Sequence, residues 1–173
     1  MKKMLLTFLS LVLFTACNQA EVEKEEIQLE EKITVVTTVA MIEDMVSNIA
    51  GDLVNLESLM GAGVDPHLYK PSAGDINKLE NADVIFYIGH HLEGKMLDVF
   101  ESLSENKIVY AIAESLDSTM LLDPQDGDTG DHDPHIWFDV NLWSQTVPVV
   151  RDALIAADPN NEEIYQLNAQ NYI

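Results

Sequence analysis

The chain has 173 residues, and its 30 Asp and Glu against 9 Lys and Arg give a formal net charge of −21. Nucleic-acid binding depends mainly on Lys and Arg that neutralise phosphates, so this excess of negative charge argues against a nucleic-acid partner. Hydrophobic residues make up 47% of the sequence, which is too many for a disordered chain and suits one domain with at most a fragment of another.

The N-terminus carries the pattern of a targeting segment. Lys2 and Lys3 precede an apolar stretch over residues 4–16, which has the length of a signal-peptide core and is too short to span a bilayer. The only cysteine follows in Phe14-Thr15-Ala16-Cys17, which resembles the bacterial lipobox. We therefore expect a signal peptide at 1–16 and a lipidated Cys17; the alternatives are an ordinary signal peptide or an uncleaved anchor.

The next segment, residues 17–32, is rich in Glu and poor in large apolar side chains. Such a composition predicts a solvated tether with no core of its own. A chain this acidic is repelled by anionic lipid, so acyl chains would have to hold it at a membrane, and stable anchoring needs more than one.

The body of the chain alternates strand and helix patterns. A β-branched run at Ile33–Thr37 predicts a buried strand, and a helix follows with Thr38 as its N-cap and Gly51 at its C-terminal end. The next predicted elements are a half-exposed strand at Leu53–Leu59, a helix at Ser72–Asn81, a strand at Asp83–Gly89, a helix at Gly94–Leu103 and a strand at Lys107–Tyr110. This order predicts an α/β fold, a mainly parallel sheet flanked by helices, with ligands beyond the carboxyl ends of the strands.

Two helical patterns end the chain. The first covers Asn141–Ala157, and Pro148 within it is expected to kink or break the helix. Asp158-Pro159 starts another helix, which runs to Ile173 without a cap or a polar terminator. We expect from this ending that the chain is cut within a helix.

One local pattern occurs twice, as Asp65-Pro66-His67-Leu68-Tyr69 and as Asp133-Pro134-His135-Ile136-Trp137. In both, a proline fixes the backbone before a histidine, and an aromatic residue follows two positions later. Two imidazoles held in this way suit a divalent transition metal, with a nearby carboxylate or carbonyl fixing the tautomer. The residues alone leave open that both are loop histidines bonded to backbone or capping helices.

The other histidines give weaker signals. His90 and His91 follow a predicted strand, but adjacent side chains usually point apart, so a rim or structural role is expected for both. His132 lies in the acidic loop 123–133. That loop fails the EF-hand pattern, because Gly130 stands at a ligand position and Trp137 stands where Glu is required, so we expect a solvated loop.

Enzymatic motifs are not found in the sequence. It has no Gly-x-Ser-x-Gly elbow, no glycine-rich phosphate loop with Lys and Ser or Thr, and no His-Glu-x-x-His helix. The enzymatic alternative is a secreted metal-dependent hydrolase that uses His67 and His135, since catalytic zinc also has few protein ligands.

Several linked motifs resemble one family. They are the segments 63–72, 81–85, 89–96 and 133–140, which contain both Asp-Pro-His motifs and Gly89-His90-His91-Leu92-Glu93-Gly94. In this order they are similar to the TroA-like solute-binding lipoproteins, the metal-binding subunits of bacterial ABC importers for zinc and manganese. The similarity extends from about Lys32 to the end of the chain.

The resemblance implies two α/β lobes joined by a long helix, with the metal between the lobes. It implies that His67 and His135 are the metal ligands of an N-terminal lobe at 33–157, that 158–173 begins the linking helix, and that Cys17 carries the lipid. The second lobe, which supplies the other two ligands in the family, is missing from this sequence. A truncated, non-functional lobe is therefore a further alternative, and the helix face that would meet a second lobe is expected to be exposed and apolar.

The function implied is capture of Mn²⁺ or Zn²⁺ as transported ligand and its delivery to an ABC permease, with no enzymatic activity. The protein is expected to be a monomer at the outer face of the bacterial cell membrane. Zinc importers of the family often have a histidine-rich loop before the second motif, whereas 123–133 contains only His132. This favours manganese or mixed use.

Overall fold

The computed structural model describes residues 31–124 and 130–173. The strands are β1 (Thr34–Val39), β2 (Asn55–Met60), β3 (Val84–Tyr87) and β4 (Ile108–Ala111), and the helices are α1 (Ala40–Ala50), α2 (Ala73–Asn81), α3 (Leu97–Ser104), α4 (Val140–Ala157) and α5 (Glu162–Tyr172). The strands form one parallel sheet in the order β2-β1-β3-β4. The predicted α/β class with a parallel sheet flanked by helices is confirmed.

The two central strands form the middle of the core. Val35 and Val36 of β1 and Ile85 and Phe86 of β3 are all fully buried, as expected for strands covered on both faces. The outer strands β2 and β4 are only partly buried. The chain runs outward in one direction from β1 to β2 and in the other from β3 to β4, which places the topological switch point between β1 and β3.

The first β-α unit differs from the prediction at its junction. The prediction that Thr38 caps α1 is wrong, because Thr38 is the penultimate residue of β1 and Val39 is the N-cap, without a side-chain cap. The Thr38 hydroxyl instead donates to the buried carboxylate of Glu93, 2.6 Å away. Gly51 does end α1, with a φ of 53° that suits glycine.

Other boundaries move by a few residues. β2 begins at Asn55 because residues 51–53 form a short 3₁₀ turn, and α3 begins at Leu97 because turns occupy the preceding residues. Of the kink or break expected at Pro148, the break is wrong, since α4 continues through this residue to Ala157, and the kink stays a prediction. Val147 and Val150 on either side are fully buried, and their packing compensates for the hydrogen bond that proline cannot make.

The C-terminal helix packs on the rest of the domain. Pro159 begins a 3₁₀ turn that leads into α5, where Tyr165 is fully buried and the Asn168 amide donates to the carbonyl of Ile49 in α1. Leu167 on the same helix is 58% exposed. The division between a lobe at 33–157 and a linking helix at 158–173 stays a prediction.

Within the described residues, no helix combines the length and apolarity needed to cross a membrane. The predicted signal peptide, Cys17 and most of the acidic tether lie outside the described residues, as does the segment 125–129 of the acidic loop.

Candidate metal site

The two Asp-Pro-His motifs meet at the carboxyl end of the sheet. His67 lies in the loop that follows β2 and His135 in the segment that follows β4, so they depart from the two outermost strands. Both segments leave the carboxyl ends of the strands and converge, which places the Nε2 atoms of the two imidazoles 3.3 Å apart. The fold thus unites residues that are 68 positions apart in the sequence.

Each motif fixes its histidine by the same local bond. The Oδ1 atom of Asp65 accepts the backbone N–H of His67 at 2.9 Å, and Oδ1 of Asp133 accepts that of His135 at the same distance. An aspartate that bonds the backbone two residues ahead forms a local turn, and the intervening proline restricts φ. Both histidines therefore leave the backbone in a direction set by their own motif.

Asp133 makes a second bond that has no counterpart at Asp65. Its Oδ1 also lies 2.7 Å from Nδ1 of His135, and its side chain is only 8% exposed. A carboxylate beside Nδ1 favours the tautomer with the proton on that nitrogen, which leaves the Nε2 lone pair directed toward His67. The lone pair on Nε2 of His135 is therefore available to coordinate a metal ion.

The separation of the two nitrogens suits one metal ion. Two ligands at the usual Zn–N distance of about 2.0–2.1 Å in a tetrahedral site lie about 3.3–3.4 Å apart, which agrees with the 3.3 Å between the Nε2 atoms here. Among residues 31–124 and 130–173, no group of three or more His, Cys, Asp or Glu side chains is arranged to hold a metal. The described residues thus bring two imidazole nitrogens to a spacing that one metal ion can bridge.

Apolar side chains lie beside the imidazole of His135. A cavity of about 260 Å³ adjoins His135, and its walls include Leu122 and Phe138. The Phe138 ring stacks on His135 with centroids 6.5 Å apart while remaining 80% exposed. Leu68, next to His67, is 70% exposed. Exposed apolar side chains are therefore found near both histidines in the chain, while the expected apolar helix face stays a prediction.

The profile of a known family, described as the periplasmic component A of the zinc-uptake complex, matches residues 35–173. The chain belongs to this zinc-uptake family. The manganese-binding lipoprotein MntA of Bacillus subtilis is 41% identical over 143 residues, 83% of this chain and 46% of MntA. The iron ABC transporter substrate-binding lipoprotein MtsA of Streptococcus pyogenes is 34% identical over 172 residues, 96% of this chain and 54% of MtsA.

The solved structure of the periplasmic zinc-binding protein TroA of Treponema pallidum superposes with a TM-score of 0.77 at 44% identity. The match covers 82% of this chain and 50% of TroA. The predicted relation to the TroA-like proteins is confirmed. The chain spans about half the length of the curated relatives it matches.

The first Asp-Pro-His motif is also hydrogen-bonded to the start of helix α2. The hydroxyl of Tyr69 donates to Oδ2 of Asp75 at 2.8 Å, and Asp75 forms a capping box with Ser72 at the start of α2. Burial, with the Asp75 carboxylate, raises the pKa of Tyr69 to about 12. Although burial alone would raise the pKa of Asp75, the hydrogen bonds from Ser72 and Tyr69 lower it below the usual value.

His90 and His132 lie next to each other, apart from the two motif histidines. Their rings meet edge to face with centroids 5.3 Å apart, and Nε2 of His90 lies 3.2 Å from the carbonyl oxygen of Ala113. His90 and His91 both have positive φ, 46° and 64°. A Cβ at Gly130 would clash with the carbonyl oxygen of His90, so this close approach requires glycine. These contacts support the expected structural role of His90.

Sequence reasoning missed the role of Glu93. Its carboxylate is 1% exposed and accepts hydrogen bonds from the Thr38 hydroxyl and from the backbone N–H groups of Ile88 and Gly89. Burial raises the pKa of Glu93, although these bonds oppose the shift. Glu93 joins the ends of β1 and β3 at the switch point of the sheet. No local pattern marks Glu93 as buried, because its neighbours include His91, Gly94 and Lys95.

Proposed function

We propose that this chain carries the metal-capturing part of an extracytoplasmic solute-binding protein, which takes up Mn²⁺ or Zn²⁺ and delivers it to an ABC permease in the membrane. The observation that carries the proposal is the 3.3 Å separation of the Nε2 atoms of His67 and His135. Neutral imidazole is a common ligand of divalent transition metals, and two fixed imidazoles provide one edge of a tetrahedral site. We assign His67 and His135 as metal ligands.

The names of the relatives support this function without selecting one metal. MntA is named for manganese, TroA for zinc and MtsA for iron. Affinities of nitrogen sites for divalent metals place zinc above manganese, so the isolated imidazole pair should prefer zinc. Zn²⁺ and Mn²⁺ are the ions to compare.

We further propose that residues 1–16 direct export, that Cys17 is lipidated and that the protein works as a monomer at the outer face of the cell membrane. Relatives named lipoproteins support the anchor. The residues 17–32 would then tether the folded part to the lipid.

A receptor is favoured over a secreted hydrolase. A hydrolytic metal needs a general base beside its bound water. The described carboxylate nearest the pair, Asp133, bonds the His135 ring and its backbone N–H. These bonds support a role for Asp133 in positioning His135.

The test is calorimetric titration of the chain from Glu21 to Ile173 with ZnCl₂ and MnCl₂ in separate runs. We expect one ion per chain, zinc bound more tightly than manganese, and at least about a tenfold loss in His67→Ala and in His135→Ala. His132→Ala, outside the pair, is the control and should bind as the unmodified chain does. Undiminished binding in both ligand variants would overturn the assignment, and absence of saturable binding would show that this chain alone does not capture metal.

A further inference from the structure

Three helices border a second, open hollow with aromatic walls. Its cavity has a volume of about 330 Å³ and is lined by Ala40, Met41, Asp44, Trp137, Trp143 and Tyr172. The first three come from α1, Trp143 from α4 and Tyr172 from α5, while Trp137 belongs to the turn that follows His135. Both tryptophans of the chain therefore face one hollow.

The polar atoms of this aromatic hollow form a chain of hydrogen bonds. The Trp143 indole Nε1–H donates to the hydroxyl of Tyr172 at 3.2 Å, and that hydroxyl donates to Oδ2 of Asp44 at 3.1 Å. The indole, the phenol and the carboxylate are thereby fixed relative to one another. Burial raises the pKa of Tyr172 above its ordinary value.

This combination of groups suits an organic cation. Aromatic faces attract cations through their quadrupole, and a carboxylate at the edge of the hollow adds a full negative charge. Asp44 is exposed, and the Lys and Arg ion pairs of the described residues form elsewhere, between Lys78 and Glu57 and between Arg151 and Asp152. The net charge of −21 attracts a cationic partner over a longer distance.

A guanidinium fits the hollow better than an ammonium does. Its planar group stacks on aromatic rings and forms directional bonds with a carboxylate, and it is less strongly hydrated than the ammonium of lysine. We propose that the aromatic hollow is a docking site for an exposed arginine side chain of a partner protein. This proposal is independent of metal capture, since none of its lining residues is a proposed metal ligand.

The test uses ¹⁵N–¹H NMR of the chain from Glu21 to Ile173, because its two indole N–H signals report the hollow directly. The probe is the tripeptide acetyl-Gly-Arg-Gly-amide, and the matched uncharged probe replaces arginine with citrulline. We expect saturable shifts of both indole signals with a Kd on the order of 10 mM, as a single side chain gives only weak binding. The citrulline peptide should cause no saturable shift.

Asp44→Asn removes the charge of the carboxylate and keeps an oxygen that accepts the hydrogen bond from Tyr172. Trp143→Leu removes one aromatic wall, and binding is then followed by the indole N–H signal of Trp137. Each should weaken arginine-peptide binding at least about fivefold. Asp52→Asn makes the same change in charge outside the hollow and should have no effect. Equal shifts with citrulline, unchanged binding in both variants, or tighter binding of choline than of the arginine peptide would overturn the proposal.

Discussion

The Oδ1 atom of Asp133 lies 2.7 Å from Nδ1 of His135 and 2.9 Å from its backbone nitrogen, so one carboxylate oxygen fixes both the turn and the ring. Asp65 reaches only the backbone nitrogen of His67 among the bonds described. The two motifs are alike in sequence and differ in how firmly they hold the imidazole.

Asp133→Asn is expected to weaken zinc binding about 10- to 100-fold, because asparagine lacks the charge that orients the His135 ring and raises its basicity. Asp65→Asn is the matched control, and its effect should be several-fold smaller since it leaves the His67 ring bonds untouched. Calorimetry measures the zinc affinities. Thermal unfolding of both variants without metal shows whether a loss of affinity comes from a loss of stability. Equal losses of affinity in the two variants would contradict the special role of Asp133.

Zinc binding should change the fluorescence of Trp137. Its ring meets the imidazole of His135 with centroids 5.2 Å apart, so coordination of His135 alters the charge beside the indole. Trp143→Phe, which leaves Trp137 as the only tryptophan, should retain the zinc-induced change. Trp137→Phe should lose most of it, and the opposite result would show that the metal is bound elsewhere.

Glu93→Gln should change how stability depends on pH. Because burial raises the folded-state pKa of Glu93 above its ordinary value near 4.5, its contribution to stability is full below that value and is lost as pH rises through the folded-state pKa. The unmodified chain should therefore lose stability relative to Glu93→Gln as pH rises from about 4 to 8. Urea unfolding across this range measures the difference. Glu101→Gln on α3 is the exposed control, and parallel profiles for the unmodified chain and Glu93→Gln would refute a raised pKa.

Tyr69→Phe should lower the free energy of unfolding by about 1 kcal/mol, because it removes the hydroxyl that donates to Asp75. Asp75→Ala should cost about 1–2 kcal/mol, since it removes the capping box of α2 as well. Denaturant unfolding at neutral pH provides both values. Tyr110→Phe, which removes a partly exposed hydroxyl on β4, is the control. If it lowers the free energy of unfolding as much as Tyr69→Phe does, the hydrogen bond to Asp75 contributes nothing.

The pKa of Asp75 is lowered in the folded state, so the stability it provides is present above its ordinary value and is lost as pH falls through the folded-state pKa. The difference in stability between the unmodified chain and Asp75→Ala should accordingly shrink in acid. A difference that is constant from pH 7 to pH 2 would contradict the shift.

The sequence by itself determined the α/β class, because runs such as Ile33–Thr37 and the spacing of the helices after them are local properties of the chain. It also indicated His67 and His135 as candidate metal ligands, because the Asp-Pro-His motif is local and builds its own turn. The order of elements further predicted that ligands bind beyond the carboxyl ends of the parallel strands.

Only the tertiary structure decided which side chains meet. The 3.3 Å between the two imidazoles depends on loops that leave opposite edges of the sheet and converge, and no spacing in the sequence encodes that approach. Thr38 shows the same limit, because its local pattern suits a helix cap, whereas burial beside Glu93, 55 positions away, gives its hydroxyl a stronger partner. Contacts between residues far apart in the chain depend on packing, which local patterns do not contain.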